Sequence, residues 1–381
     1  MNELNWCEID VAALQGNLRQ LRELVGRGPK LAPAVKANAY GHGLRLCAEA
    51  FVDAGADWLG VNALFEARRL RELGIELPIY VMGYVPPADV AEALRLDCQL
   101  VVYDPQVARA ASAAVAASAP GPARLHLKLE TGNNRQGLAE DDCLALAQEV
   151  VADPGLELTG LTSHFADVED TTDHTFATAQ AQRFHAFGER LQRHGIAPRY
   201  RHISNSAAAI LWPDVHMELV RTGIACYGMW PSTEAYVAAL MAGRALVQLR
   251  PALAWKTRIV QVRDVPAGEY VGYGRTFRTT HPTRLAILPM GYYDGYDRGL
   301  SNLAHVLVHG ARAPVRGRVC MNITMVDVTH IPAAASGDEV VLLGSQGDER
   351  ITAEQMAGWA GSINYEITTR INERIPRIAV R

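Results

Sequence analysis

From residue 31 to residue 226 the chain repeats one alternation. Apolar runs of strand length occupy 31–37, 58–61, 78–82, 99–103, 124–129, 156–161, 200–204 and 219–226. Most of the gaps carry apolar residues at helical spacing, over 44–54, 62–73, 87–96, 105–117, 140–152 and 175–194. Strands buried on both faces read as continuous apolar runs, and a helix between each pair returns the chain to a parallel register. Eight such units in about 230 residues have the size of a (β/α)8 TIM barrel. The rival architecture is an open doubly wound sheet, but no GxGxxG follows the first run. Asp104 followed by Pro105 is a helix start, and Asn205-Ser206 opens a shorter alanine-rich helix. Val11, Leu14, Leu18, Leu21 and Val25 mark one face of a preceding helix that Asp10 is placed to cap.

Beyond about residue 245 the texture changes to short β runs broken by Gly, Pro and Asp, as in VQLRPALAWKTRIVQVRDVPAGEYVGYGRTF and HVLVHGARAPVRGRVCMNITMVDVT. One late helix is expected at 352–360, where Thr352 and Gln355 fit a capping box. The expected division is a barrel domain at 1–243, its first few residues packing with the β domain, and a mainly-β domain at 244–381.

A net charge of -4 gives no sign of nucleic acid or an anionic membrane as partner. No stretch approaches the ~20 apolar residues of a membrane span, and MNELNWCEID lacks the pattern of a signal peptide. Six cysteines without CxxC pairing fit reduced thiols in a cytoplasmic protein and no metal site.

In such barrels chemistry sits at the C-terminal ends of the strands. The first run ends in Lys36, the fifth in KLETGNNRQG with Lys128 and Arg135, and the sixth in His164. The seventh ends in Asn205-Ser206, and the eighth offers Arg221 with Gly223-Ile224. Each has an ordinary alternative: a solvated lysine, a core histidine, a capping serine, an ion-paired arginine. Together they crowd six polar groups at one barrel mouth. A desolvated lysine on a rigid strand can form a Schiff base with a carbonyl substrate, as in an aldolase, or with pyridoxal phosphate. A phosphate subsite favours the second, because the loops after strands seven and eight carry Ser206 and approachable backbone at Gly223-Ile224. Arg221 would then face the pyridine nitrogen.

AVKANAYGHG resembles the signature of the alanine racemases, and KLETGNNRQG, SHFAD, NSAA, VRTGIACYG, GYGRTF, GYYDG, VCMNITMVDV and INYEITTRINERIPR follow in that family's order over essentially the whole chain. The resemblance implies a PLP enzyme built from a barrel and a β domain. It interconverts L- and D-alanine with two bases, Lys36 and Tyr273. Lys36 would also hold the cofactor. Tyr40, Asn205, Ser206, Gly223, Ile224 and Tyr365 would lie at the cofactor, most of them at its phosphate, and His164 would bond to Arg221. Arg135, Met321 and Tyr292 would meet the substrate or its entrance, and Lys128 matches a position often carbamylated in the family. It further implies a cytoplasmic homodimer with shared sites, supplying D-alanine for peptidoglycan. Asn322 stands where many members carry aspartate. Other readings are a racemase of broader amino-acid scope, a PLP decarboxylase, and a non-catalytic PLP-binding protein. The last lacks a β domain in its known forms.

Overall fold

A computed structural model describes residues 4–118, 121–243 and 247–380. It separates into two compact units, one formed by residues 13–39 and 47–251, the other by residues 4–12, 40–46 and 252–380. Residues 40–46, expected within the barrel domain, group with the second unit. The expected boundary at 244 lies outside the described residues.

The first unit is a ring of eight parallel strands with helices between them. Six of them, Leu59–Val61, Ile79–Val81, Cys98–Val102, Ala123–Lys128, Leu156–Thr162 and Tyr200–His202, pair in chain order. Lys30–Pro33 pairs with Leu219–Thr222. A parallel bridge from Ala34 to Gly60 joins the two sets on one side. On the other, the Arg221 N–H donates to the Ser204 carbonyl at 3.3 Å and completes the ring. Helices at Leu44–Asp53, Leu64–Glu72, Val90–Arg95, Pro105–Ser118, Glu140–Ala152 and Thr175–Arg193 fall where the periodicity predicts them. Asp104 accepts from the Gln106 N–H at 2.9 Å.

Three expected strands stop early. The first ends at Pro33, so Lys36 stands three residues beyond it, in a turn. The seventh ends at His202, and the eighth at Thr222, before a 3-10 turn at Ile224–Tyr227. In each case the backbone leaves the ladder where side chains with other work begin.

The second unit is mainly β. Its largest sheet runs in the order Ala311–Pro314, His305–Val308, Glu339–Gln346, Leu253–Arg258, Asn5–Asp10 and Arg377–Val380, with Glu349–Ile351 beside Glu339–Gln346. Gln261–Val265, Thr283–Leu288 and Thr324–Asp327 form a second sheet, and Tyr270–Val271 pairs with Phe277–Arg278. The late helix is Ala353–Ala360, with the capping box of Thr352 and Gln355 formed in both directions.

Candidate active site

The turn after the first barrel strand has an inverted hand. Ala37, Asn38, Ala39 and Tyr40 all lie at φ between 52° and 54°. For L-residues this costs about 1–2 kcal/mol each, so a run of four persists only where its surroundings hold it. The turn begins at Lys36, whose amine is held below its ordinary value. Desolvation is the main cause; the charges of Arg135 and Arg221 add to it, and Glu66 opposes it.

Lys128 ends the strand Ala123–Lys128 and is 8% exposed. Desolvation, then Arg221 and Arg135, hold its amine well below the usual lysine value. The Lys128 Nζ makes no hydrogen bond or ion pair among the described residues. Lowering an amine in this way eases loss of its proton, and the unprotonated amine is the nucleophile. The neighbouring Glu130 carboxylate is held below the usual range despite burial, because backbone N–H groups of Asn134, Gly132, Asn133 and Arg135 converge on it. That wrapping shapes the loop that presents Arg135, an exposed side chain.

Arg221, on the eighth strand, is fixed by its two terminal nitrogens. Nη1 donates to His202 Nδ1 and, at 3.1 Å, to the His202 carbonyl. Nη2 donates to the Ser163 carbonyl at 2.9 Å and the Ile203 carbonyl at 3.4 Å. Nε has no partner among the described residues. The expected bond from His164 to Arg221 is not formed: the four acceptors, none of them on His164, occupy both terminal nitrogens. Burial lowers the guanidinium to about 10, so it stays charged at neutral pH.

Behind Arg221 lies a polar chain that sequence reasoning did not single out. His202 Nε2 and His126 Nδ1 are 2.8 Å apart, and His126 Nε2 is 2.9 Å from Gln99 Oε1. The amide oxygen can only accept and the guanidinium can only donate, so the network assigns both neutral rings the Nε2–H tautomer. Donation runs from Arg221 to His202 to His126 to Gln99. Desolvation first, then the charge of Arg221, drives His126 down to about 3 and His202 well below its usual value. Trp58 and Tyr80 pack edge-on or tilted against these rings. The available signal was inward polarity: Gln99, His126, His202 and Arg221 all sit on barrel strands, where apolar side chains are the rule.

The Ser206 side chain meets the Gly223 backbone. Asn205, not Ser206, caps the helix Ser206–Leu211, accepting from the Ala208 N–H at 2.9 Å. The Ser206 hydroxyl accepts from the Gly223 N–H at 2.8 Å and the Ala225 N–H at 3.4 Å. Ile224 opens the 3-10 turn, whose first N–H groups have no partner within it. Asn205 donates to Glu169, a carboxyl raised chiefly by burial.

In the second unit Tyr40 and Tyr365 come together, with ring centroids 6.1 Å apart. Tyr273 is 73% exposed, on a tight loop between Gly272 and Gly274 that joins two short strands. Tyr292 and Met321 share one place: the Tyr292 N–H donates to the Cys320 carbonyl and the Tyr293 N–H to the Met321 carbonyl, both at 3.0 Å. Gly291 permits this approach, since a Cβ there would lie 2.0 Å from the Cys320 oxygen. Beside them an open cavity of 420 Å³ is lined by Tyr292, Gly295, Asp297, Arg298 and Arg370. Among the described residues no helix is long and apolar enough to cross a membrane, and no cluster of three or more His, Cys, Asp or Glu could hold a metal ion.

A barrel whose strand ends gather a depressed lysine, a fixed arginine and a serine–glycine cradle, joined to a mainly-β unit, defines a class of cofactor-dependent enzyme. The family models sharpen this: the alanine racemase N-terminal domain matches residues 9–231, and the C-terminal domain matches residues 252–379. The chain belongs to the alanine racemase family. It is 43% identical to an alanine racemase of Syntrophobacter fumaroxidans, over 95% of this chain and 94% of that protein. It is 38% identical to one of Leptospira interrogans, over 99% and 96%. Among solved structures, the alanine racemase of a D-cycloserine-producing Streptomyces lavendulae superposes with a TM-score of 0.93 at 36% identity, covering 100% of this chain and 98% of that one. The Bacillus anthracis enzyme with bound L-Ala-P gives 0.92 at 33% identity, covering 100% and 96%.

Proposed function

We propose that this chain interconverts L- and D-alanine with pyridoxal phosphate as cofactor, Lys36 and Tyr273 acting as the two bases. The observation that carries the reading is the concurrence of full-length family membership with a strand-end lysine whose amine is already depressed. The residues fit the cofactor: Arg221 keeps one donor, Nε, without a partner, and Ser206 with Gly223 and Ile224 offers a hydroxyl and backbone for a phosphate. Asn205 would hold that cradle in place, Tyr40 and Tyr365 would add phenolic contacts to the phosphate, and His164 would lie against the ring.

Pyridoxal phosphate, when bound, supplies the electron sink that makes an amino acid's Cα–H acidic. The chain supplies the proton handling. Racemisation needs a proton removed from one face of Cα and returned to the other, so two fixed bases serve better than one that must swing. Lys36 would serve the D-isomer's proton and Tyr273 the L-isomer's. Neighbouring positive charge favours a phenolate, and Arg135 is the residue assigned to supply it beside Tyr273. Arg221 would donate to the ring rather than protonate it, which would restrain charge build-up and favour return of the proton over transamination. The depressed amine of Lys128 suits carbamylation, in which it would add to carbon dioxide and lose a proton, and the resulting anion would balance Arg135. Met321 would meet the substrate carboxylate through its N–H, and Tyr292 would narrow the entrance. Tyr273 is exposed in the single chain, which suits a homodimer in which each site draws on both subunits. The free cysteines fit a reducing cytoplasm, and supply of D-alanine for peptidoglycan is the role we assign.

The test is to incubate the PLP-loaded protein with L-alanine in D₂O and follow optical rotation and Cα deuterium. Loss of rotation with exchange is expected. Carbon dioxide would indicate a decarboxylase, and no change at all a binding protein. Parallel runs with L-serine, L-lysine and L-arginine measure substrate scope.

A further inference from the structure

The inverted turn after Lys36 has an identifiable clamp. Glu66 is 4% exposed and belongs to the next strand–helix unit, at the start of the helix Leu64–Glu72. One carboxylate oxygen, Oε1, accepts from the Ala37 N–H at 2.6 Å. The other, Oε2, accepts from the N–H groups of Asn62 at 2.8 Å and Ala63 at 3.0 Å. The same strand unit fixes the turn's other side, because the Val35 N–H donates to the Gly60 carbonyl at 2.8 Å, while Ala39 N–H returns to the Val35 carbonyl at 2.9 Å.

Helix capping accounts for the contacts to Asn62 and Ala63. It does not account for the bond to Ala37, which lies outside that helix and next to the lysine. We propose that Glu66 is a positioning residue for Lys36: by bridging the Ala37 amide to the Asn62–Ala63 backbone, its carboxylate holds the left-handed turn and with it the origin of the lysine side chain. The proposal rests on the reading of Lys36 as a base. It adds a residue that touches neither substrate nor cofactor. The carboxylate also opposes the depression of Lys36 by burial, Arg135 and Arg221, so it contributes charge as well as geometry.

Two substitutions separate positioning from capping. Glu66→Asp keeps the charge and can still cap the helix, as Asp294 does for Gly291, but is one methylene too short to span to Ala37. Glu66→Gln keeps the length but has one acceptor oxygen for three donors. In the PLP-loaded full chain, Glu66→Asp should leave the thermal midpoint within a few degrees of the parent. Amide exchange in a peptide covering 35–41 should accelerate about tenfold, and kcat should fall about tenfold in both directions with KM changed less than about threefold. Glu66→Gln should show the same exchange and kcat effects with a lower midpoint. Parent-like exchange at 35–41 and parent-like kcat in Glu66→Asp would overturn the proposal. Lys36→Ala, run alongside, distinguishes the two levels: if it still racemises alanine, the base assignment fails and the positioning role falls with it. If it is inactive, the Glu66 outcomes stand on their own.

Discussion

His126 and His202 are neutral in the fold for a reason that makes them pH-sensitive. The unfolded chain binds a proton on each near pH 6.5, whereas the folded chain resists until about pH 3 at His126 and to a value well below 6.5 at His202. Stability from this source is complete above the unfolded value and is lost as pH falls from 6.5 toward the folded values. Each histidine can contribute a slope of up to about 1.4 kcal/mol per pH unit. The urea midpoint should therefore decline between pH 6.5 and 5, and His126→Asn should flatten that decline by about one proton while losing about 1–3 kcal/mol at pH 7.5. An unchanged slope in that variant would count against the neutral, singly protonated pair. These residues were hard to read from sequence because HLK and RHIS look like ordinary strand ends. Their meaning comes from meeting across strands. Lys36, Arg221 and Ser206 were easier, since each stands beside glycines or helix starts that mark strand ends locally.

The elements are arranged around these side chains. In the strand Leu156–Thr162, Gly160 faces His126 so closely that a Cβ would lie 2.1 Å from Nδ1. The register between strands Ala123–Lys128 and Leu156–Thr162 also slips between Leu125 and His126. Glycine here is a matter of space, not of backbone angle. Gly160→Ala should push the ring off His202, cost about 1–3 kcal/mol, and lower kcat through a displaced Arg221. Chemical denaturation paired with kinetics checks both, and a variant of normal stability and rate would refute the packing argument. The alternation of strands and helices was legible because burial imposes it on every unit. The inverted turn was not: such backbone usually advertises itself through Gly or Asn, whereas Ala37, Asn38, Ala39 and Tyr40 include two alanines and a tyrosine.

At the scale of the molecule, the two proposed bases belong to different units, Lys36 to the barrel and Tyr273 to the mainly-β unit. If each site draws on two subunits, mixing Lys36→Ala and Tyr273→Ala proteins and letting them exchange should recover about a quarter of parental activity, since half the dimers are mixed and each carries one intact site. No recovery after exchange verified by mass would refute sharing. The chain passes between the units more than once, and a contiguous reading of domains could not detect that residues 40–46 leave the barrel unit.

The same interleaving sets a timetable for synthesis. Asn5–Asp10 lies one strand in from an edge of the large sheet, antiparallel to Leu253–Arg258 and parallel to Arg377–Val380. On the ribosome its nearer partner follows it only about 240 residues later. At about 5–20 residues per second, that leaves it some 10–50 s without a neighbour. The barrel can close during that interval, but this part of the sheet is complete only when Arg377–Val380 arrives, and loss of that strand would make Asn5–Asp10 the sheet's edge.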